Sequence, residues 1–268
     1  MPTLLITGAS GFVGSHVTRE ARRAKAGVRL MAHRRPLDGP GDPGHCVVRA
    51  DLSDPASLRG VCDGVDVLIH CASQIGGTAE ANEAVNARGT AALVAEARRA
   101  GVSRVVQLST ASVYGRGTFR GSRPEHLTRN PGSPTSRTRA AAEDAVLEAG
   151  GVVLRPHLVH GAGDAWVVPG ITRLLRALPG TVAGWTSRTS LISVGALARL
   201  LVATASAPAA DLTAHVYHAV HPDPVPVDTL LRTVAACAGV PWPSEDLTVE
   251  QARRSLEERG AARPPSTC

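Results

Sequence analysis

Lysine, tyrosine and phenylalanine are scarce in this chain of 268 residues. It has two tyrosines, two phenylalanines and the single lysine Lys25, so nearly all of its 29 lysine and arginine residues are arginine, and the formal net charge is +6. The arginines are scattered rather than clustered with aromatic side chains, and no nucleic-acid-binding module is recognisable. We therefore interpret the positive charge as a solvated surface and expect no nucleic-acid partner.

Metal-binding and membrane signals are also absent from the sequence. The five cysteines form no C-x-x-C pair and the ten histidines form no H-E-x-x-H motif, so we expect neither a metal site nor a disulfide framework. No apolar run is long enough to cross a bilayer, and an apolar strand already begins at Thr3, where a signal peptide would stand. These absences predict a cytoplasmic protein without a membrane partner.

A glycine-rich turn follows the first apolar segment. The run Thr3–Thr7 is suited to a buried strand, Gly8, Gly11 and Gly14 follow at G-x-x-G-x-x-G spacing, and an amphipathic stretch covers residues 15–26. In a strand–turn–helix unit, such glycines allow backbone N–H groups to approach a pyrophosphate at the positive end of the helix. The pattern predicts a dinucleotide site formed by Gly8, Ser10, Gly11, Phe12, Val13 and Gly14.

The end of the second strand bears on which dinucleotide is bound. The apolar residues 27–32 predict this strand, and His33, Arg34 and Arg35 follow it. An NAD-binding protein commonly has a carboxylate here that accepts the ribose hydroxyls, whereas cations suit the 2′-phosphate of NADP. We therefore predict NADP(H) as the cofactor, and a solvated basic loop is the alternative.

Strands and helices alternate as far as residue 160. The predicted strands lie near residues 3–7, 28–32, 46–49, 66–71, 103–109 and 151–155. This alternation predicts an α/β fold with a doubly wound parallel sheet. We expect one domain, residues 1–268, in which residues 1–160 mainly form a nucleotide-binding core and residues 161–268 mainly form a small substrate-binding lobe.

Five further segments resemble the extended, epimerase/dehydratase-like type of the short-chain dehydrogenase/reductase family. They are Asp51-Leu52, the strand end around His70, Asn86-x-x-Gly89-Thr90, residues 109–115 (STASVYG) and residues 155–161 (RPHLVHG). The resemblance implies a Rossmann-type fold. It also implies cofactor contacts from Asp51 and Leu52, from Cys71, Ala72 and Ser73, and from Pro156, His157 and Leu158, and it places Thr110 at the catalytic Ser/Thr position.

The resemblance fails at the Tyr-x-x-x-Lys pair of the family. Thr135 stands where the tyrosine is expected and Arg139 where the lysine is expected, four residues apart on one predicted helix. A threonine hydroxyl is a far weaker acid than a phenol, and arginine stays protonated. We interpret Thr110, Thr135 and Arg139 as the candidate catalytic residues, although Thr135 and Arg139 could simply hold the nicotinamide ribose.

Three functions remain open at this point. The first is an NADPH-dependent ketoreductase acting on an aromatic or polyketide-type ketone in an antibiotic pathway, as the short second lobe and Trp166 and Trp185 indicate. In lacking the tyrosine and the lysine, the chain resembles the ketoreductases of angucyclinone (simocyclinone-type) pathways. The second is a catalytically silent NADPH-binding regulator, and the third is a sugar-nucleotide epimerase or dehydratase. Either a monomer or a homodimer is compatible with the sequence.

Overall fold

The computed structural model describes residues 2–34 and 45–258. The strands are β1 (Thr3–Thr7), β2 (Gly27–Ala32), β3 (His45–Arg49), β4 (Val67–His70), β5 (Arg104–Leu108), β6 (Val152–Arg155), β7 (Leu158–His160), β8 (Gly180–Val182), β9 (Arg188–Thr189), β10 (Leu191–Ser193), β11 (Val216–His218), β12 (Val225–Pro226) and β13 (Glu245–Leu247). The α-helices are α1 (Phe12–Arg23), α2 (Ala79–Asn82), α3 (Thr90–Arg99), α4 (Pro134–Glu148), α5 (Val167–Ala177), α6 (Val194–Ser206), α7 (Val227–Ala238) and α8 (Val249–Glu258).

Seven strands form a central parallel sheet in the order β11-β6-β5-β4-β1-β2-β3. Strands β1, β4 and β6 are almost wholly buried, as expected of parallel strands covered by helices on both faces. The predicted Rossmann-type α/β fold and its first six strands are confirmed. The seventh strand, β11, was not predicted from the sequence.

Helix α1 begins earlier than the predicted segment 15–26. It starts at Phe12, immediately after the glycine turn, and ends at Arg23, and Lys25 beyond it has a positive φ of 58°. Its buried side includes Val17 and Ala21, and the helix packs against α6. The early start brings the helix N-terminus directly to the end of β1.

The chain forms two compact units. The first runs to His157 and includes the later segment Val194–Ala219, and the second consists of Leu158–Ser193 and the residues from Val220 onward. Residues 194–219 belong to the first unit because β11 is a strand of its seven-stranded sheet and α6 packs against that sheet and against α1. This division cuts across the expected boundary at residue 160, because residues 194–219, which were assigned to the second lobe, pack with the first unit.

The second unit has a core of its own. Leu175 on α5 and Leu231, Val234 and Ala235 on α7 are buried together. Trp185 packs against this core, with its ring 5.6 Å from that of Trp242 in an edge-on arrangement. Trp166, by contrast, is 52% exposed. The two tryptophans that the sequence analysis grouped together therefore have different environments.

Candidate functional site

The glycine turn between β1 and α1 is too tight for side chains. Gly8 has a φ of +67°, and a Cβ there would lie 2.8 Å from the backbone N of Ala72. A Cβ at Gly14 would overlap the carbonyl oxygen of Gly8, and Gly11 N donates to that same oxygen at 2.9 Å. Helix α1 has no side-chain cap and no acidic residue in its first turn. Its N-terminal N–H groups and positive end are therefore suited to a phosphate.

The ends of β1 and β4 are joined by a buried imidazole. Thr7 Oγ1 lies 2.7 Å from His70 Nδ1, and His70 Nε2 lies 2.9 Å from Thr90 Oγ1 on α3. The backbone N of Ala72 donates to Thr7 Oγ1 at 3.2 Å. Burial, and then the charge of Arg139, lower the pKa of His70 to about 4. A neutral histidine thus holds together the two strands at which the sheet reverses its order, the usual ligand position of such sheets.

The end of β2 presents basic side chains together with a carboxylate. His33 Nε2 lies 2.8 Å from Asp51 Oδ2, and both His33 and Arg34 are exposed. Ser53 donates its backbone N–H and its hydroxyl to Asp51 Oδ1 at 2.8 and 2.7 Å. Burial raises the pKa of Asp51, but the Ser53 bonds and the charge of His33 outweigh it, so the pKa lies below its ordinary value. The predicted contact Arg35 lies outside the described residues.

A π-helical segment, Glu83–Gly89, holds the loop that follows β4. Asn86 Oδ1 accepts the backbone N–H of Gln74 at 2.7 Å, and Asn86 Nδ2 donates to the Gln74 carbonyl at 2.9 Å. The same Nδ2 reaches Thr138 on α4 at 3.1 Å. A Cβ at Gly89 would overlap the carbonyl oxygen of Leu52. These contacts position Leu52 and the 71–74 loop beside the glycine turn.

Thr110 stands at the end of β5, where it caps a short 3-10 helix, Ala111–Tyr114. Its Oγ1 accepts the backbone N–H of Ser112 at 3.1 Å and donates to the Ser112 hydroxyl at 3.0 Å. Thr110 is half-buried and Ser112 is exposed. The Thr110 hydroxyl is therefore oriented by its own turn. Sequence reasoning did not single out Ser112, although two hydroxyl residues spaced two apart at a strand end are a signal for such a turn.

Arg139 and Thr135 both lie on α4, as predicted. Helix α4 begins after Ser133, which forms a capping box with Ser136. Arg139 is buried, and it donates from Nη1 to Ser73 Oγ at 2.9 Å and from Nη2 to the Leu108 carbonyl at 2.6 Å. Its Nε is buried without a hydrogen-bond partner among the described residues. Burial lowers its pKa to about 10, so the guanidinium remains charged at neutral pH.

Thr135 is half-buried in the first turn of α4, one turn before Arg139. Arg139 thus connects the ends of β4 and β5 to the helix, whereas the structure gives Thr135 no comparable link among the described residues. The guanidinium uses one N–H of each terminal nitrogen for these links and keeps a second on each. It could therefore hold a further acceptor while it positions Ser73.

A buried network of charged side chains links α4 to the carboxyl ends of β5 and β6. The carboxylate of Glu143, fully buried on α4, accepts Ser109 Oγ, and also Arg155 Nε at 2.9 Å and Nη2 at 2.6 Å. Arg155 Nη1 donates to the Tyr114 hydroxyl at 2.8 Å, and that hydroxyl lies 2.7 Å from His218 Nε2. The Tyr114 hydroxyl is thus already paired on both sides, and burial raises its pKa although Arg155 opposes this. Tyr114 is therefore a structural residue.

The remaining predicted cofactor residues lie at strand ends. Cys71 follows β4, and burial raises the pKa of its thiol to about 12, so it is an uncharged packing group. The Pro156 carbonyl accepts the backbone N–H of Ala111 at 2.7 Å, which ties the ends of β5 and β6 together. His157 is exposed and ends the first unit, and Leu158 begins the second. Ser10 is exposed, and Phe12 and Val13 are half-buried at the start of α1.

Within residues 2–34 and 45–258, no three histidine, cysteine or acidic side chains are grouped closely enough to hold a metal ion. The helices of this part of the chain are all too short or too polar to cross a membrane. The chemical groups of the site are thus hydroxyls, backbone N–H groups, the Arg139 guanidinium and the basic side chains after β2.

Comparison with known proteins identifies one matching family model. The model described as the NAD dependent epimerase/dehydratase family matches residues 4–219. A 2-alkyl-3-oxoalkanoate reductase of Stenotrophomonas maltophilia is 29% identical over an alignment of 271 positions, gaps included, which covers 94% of this chain and 80% of the relative.

Two further similarities differ in what their proteins act on. A 4-hydroxy-2-methyl-3-oxo-4-farnesyl-3,4-dihydroquinoline-1-oxide ketoreductase of Stigmatella aurantiaca is 29% identical over 183 residues, covering 64% of this chain and only 54% of the relative. The solved structure of MoeE5 in complex with UDP-glucuronic acid and NAD is 26% identical, with a TM-score of 0.74. That similarity covers 97% of this chain and 93% of MoeE5.

Proposed function

Because the chain belongs to the NAD dependent epimerase/dehydratase family, we propose that it is an NADPH-dependent ketoreductase. Its substrate would be a ketone of the aromatic or polyketide type from a secondary-metabolite (antibiotic) pathway. The observation that carries this proposal is that an oriented hydroxyl, Thr110, and a buried cation, Arg139, both lie at the carboxyl end of β5. The glycine turn follows the carboxyl end of β1 in the same sheet. Two relatives that act as reductases support the same reaction class.

The cofactor would be held by the glycine turn and the residues after β2. Its pyrophosphate fits the N-terminus of α1, where Gly8 and Gly14 leave room for a close approach. A 2′-phosphate fits the exposed His33 and Arg34, together with Arg35. Asp51 pairs with His33 and so leaves its carboxylate less suited to accept ribose hydroxyls, which favours NADPH over NADH. When bound, the reduced nicotinamide supplies a hydride.

The residues at β5 and α4 would serve the carbonyl oxygen. Thr110 donates its hydroxyl to that oxygen, and the fixed charge of Arg139 favours the negative charge that develops there. Thr135 contributes at most a short polar contact, because its side chain is several ångströms shorter than a tyrosine. Without a phenol as acid, alignment of the carbonyl with the hydride donor has to supply much of the rate.

A phenol beside the ketone in the substrate would ease the reaction further. Its internal hydrogen bond to the carbonyl oxygen stabilises the alkoxide as it forms, and so replaces part of what the tyrosine of other family members provides. The proposal therefore favours polycyclic ketones with an adjacent phenol.

One observation favours the alternative of a silent NADPH-binding regulator. Both terminal nitrogens of Arg139 are bonded to the protein itself, at Ser73 and Leu108, as they would be in a purely structural role. The similarity to MoeE5 keeps a sugar-nucleotide reaction as a third candidate. That candidate is weaker, because the family reactions on sugar nucleotides also depend on the missing tyrosine.

The test is NADPH consumption by the purified protein with polycyclic ketones that carry or lack a phenol beside the carbonyl, and with UDP-sugars as a further arm. We expect turnover of the ketones, fastest for those with the phenol. Cofactor binding without turnover of any substrate would contradict the reductase and support the regulator. Turnover of UDP-sugars alone would support the third candidate.

A further inference from the structure

Ser112 forms a two-hydroxyl chain with Thr110 at the end of β5. The Oγ atoms of the two residues lie 3.0 Å apart, and the backbone N–H of Ser112 also donates to Thr110 Oγ1 at 3.1 Å. Ser112 is exposed whereas Thr110 is half-buried, so the chain runs outward from the candidate site. It connects the Thr110 hydroxyl to bulk water through one side chain.

We propose that Ser112 resupplies Thr110 with a proton during carbonyl reduction. This inference rests on the proposed ketoreductase function and adds the source of its proton. Ser112 touches no reacting atom in this scheme. It is a positioning and relay residue that acts through Thr110.

The hydrogen-bonding capacity of Thr110 fits this role. A threonine hydroxyl has one donor and two acceptor lone pairs, and its hydrogen rotates freely. With a substrate carbonyl present, Thr110 donates to it and accepts two bonds from Ser112, one from the backbone N–H and one from the hydroxyl. The contact of 3.0 Å needs only a reversal of the hydroxyl direction, with no movement of the backbone.

The proton balance of the step is simple. As hydride from the reduced nicotinamide forms the new C–H bond, the C=O π pair moves to oxygen and an alkoxide develops. Thr110 gives its hydroxyl proton to that oxygen and takes the Ser112 proton. Ser112 takes a proton from water, and solvent buffer neutralises the hydroxide. At each step the proton moves between two oxygens of similar basicity, so no strong acid is needed.

Neighbouring groups are less suited to the task. The Tyr114 hydroxyl in the same turn accepts from Arg155 and is paired with His218, so both of its partners lie in the buried network. Arg139 stays charged and cannot release a proton readily. Ser112 is, by contrast, an exposed residue.

The experiment compares wild type with Ser112→Ala and Ser112→Thr on a ketone that lacks an adjacent phenol. Ser112→Ala keeps the backbone N–H that orients Thr110 and removes only the hydroxyl. Loss of a relay should lower kcat about 10-fold with little change in KM, since general acid catalysis contributes at least about 100-fold in total. The proton inventory in H₂O/D₂O mixtures should change from curved to linear, and Ser112→Thr should restore both properties.

Ser103→Ala is the matched control, because it removes an exposed hydroxyl at the opposite end of β5, where Ser103 bonds the Asp66 carbonyl. It should leave kcat and the proton inventory unchanged. An unaltered isotope effect in Ser112→Ala, or equal loss of rate in the Ser103 control, would overturn the relay while the reductase stands. If wild type reduces no ketone, the proposed function fails and the relay fails with it.

Discussion

Two parts of the candidate site, both at the carboxyl ends of the parallel strands, are built in different ways. In the turn between β1 and α1 the site is made of backbone, and neither Gly8 nor Gly14 leaves room for a side chain. Around β5 and α4 it is made of side chains, with Arg139 bonded to Ser73 and Glu143 bonded to Arg155. The first part is suited to a feature that all pyrophosphates share. The second part can change its chemistry by substitution without any change in the backbone.

This difference explains how the helix can carry Thr135 and Arg139 at the two positions where the sequence analysis expected tyrosine and lysine. Thr135 and Arg139 occupy the expected helix at the expected spacing, and the helix still forms, because capping by Ser133 and Ser136 does not depend on them. A comparable substitution in the glycine turn would force the turn to open. The following experiments test the two parts separately.

The largest effect should come from the buried network. Glu143→Gln removes the charge that pairs with Arg155 and leaves a buried guanidinium unbalanced, so we expect a loss of about 3–5 kcal/mol in the free energy of unfolding. Urea denaturation measures it. Glu148→Gln, exposed at the end of the same helix, should change stability by less than about 0.5 kcal/mol. Similar small losses in both variants would mean that the network is not structural.

The junction of β1 and β4 should be sensitive to pH. The pKa of His70 is about 4 in the fold and 6.5 ordinarily, so the unfolded chain takes up its proton first as pH falls. Stability should therefore decline between about pH 6.5 and pH 4, by up to about 3 kcal/mol from this group. Denaturation at several pH values measures this. His70→Asn should remove that part of the slope, and an unchanged slope would contradict a buried neutral histidine.

Gly14→Ala tests the glycine turn between β1 and α1, which we call the glycine cradle. The added methyl meets the Gly8 carbonyl oxygen, and such overpacking costs about 1–3 kcal/mol. We expect a weaker Kd for NADPH by at least about 10-fold, measured by calorimetry, because the phosphate-binding turn has to open. Gly132→Ala is the control, since no heavy atom lies within 4 Å of its added Cβ. Equal cofactor affinity in the two variants would refute the cradle.

The smallest effect concerns cofactor choice. Arg34→Ala should weaken NADPH binding about 10-fold, through loss of one charge-assisted contact to the 2′-phosphate, and leave NADH binding unchanged. Arg98→Ala, which removes an exposed arginine from α3, should change neither affinity. A parallel loss for NADPH and NADH would show that Arg34 does not read the 2′-phosphate.

The sequence was informative where contacts are local. The β1–turn–α1 unit lies within residues 3–23, and its glycines are required by sterics, so both the fold and the cradle could be predicted. The link from Tyr114 to His218 spans 104 residues, and no local pattern indicates it. The seventh strand escaped prediction for the same reason, because only the folded sheet brings β11 beside β6. The contact of Ser112 with Thr110 could have been predicted from their spacing at the strand end, but the family motif assigns a role to Thr110 alone.

The central claim is that this site transfers hydride to a ketone despite lacking the tyrosine and lysine of its family. The most direct measurement uses NADPH deuterated at the transferable C4 position with a phenol-bearing polycyclic ketone, followed by mass spectrometry of the product. We expect an alcohol that carries one deuterium on the former carbonyl carbon. Tight NADPH binding with no labelled alcohol from any ketone tested would contradict it.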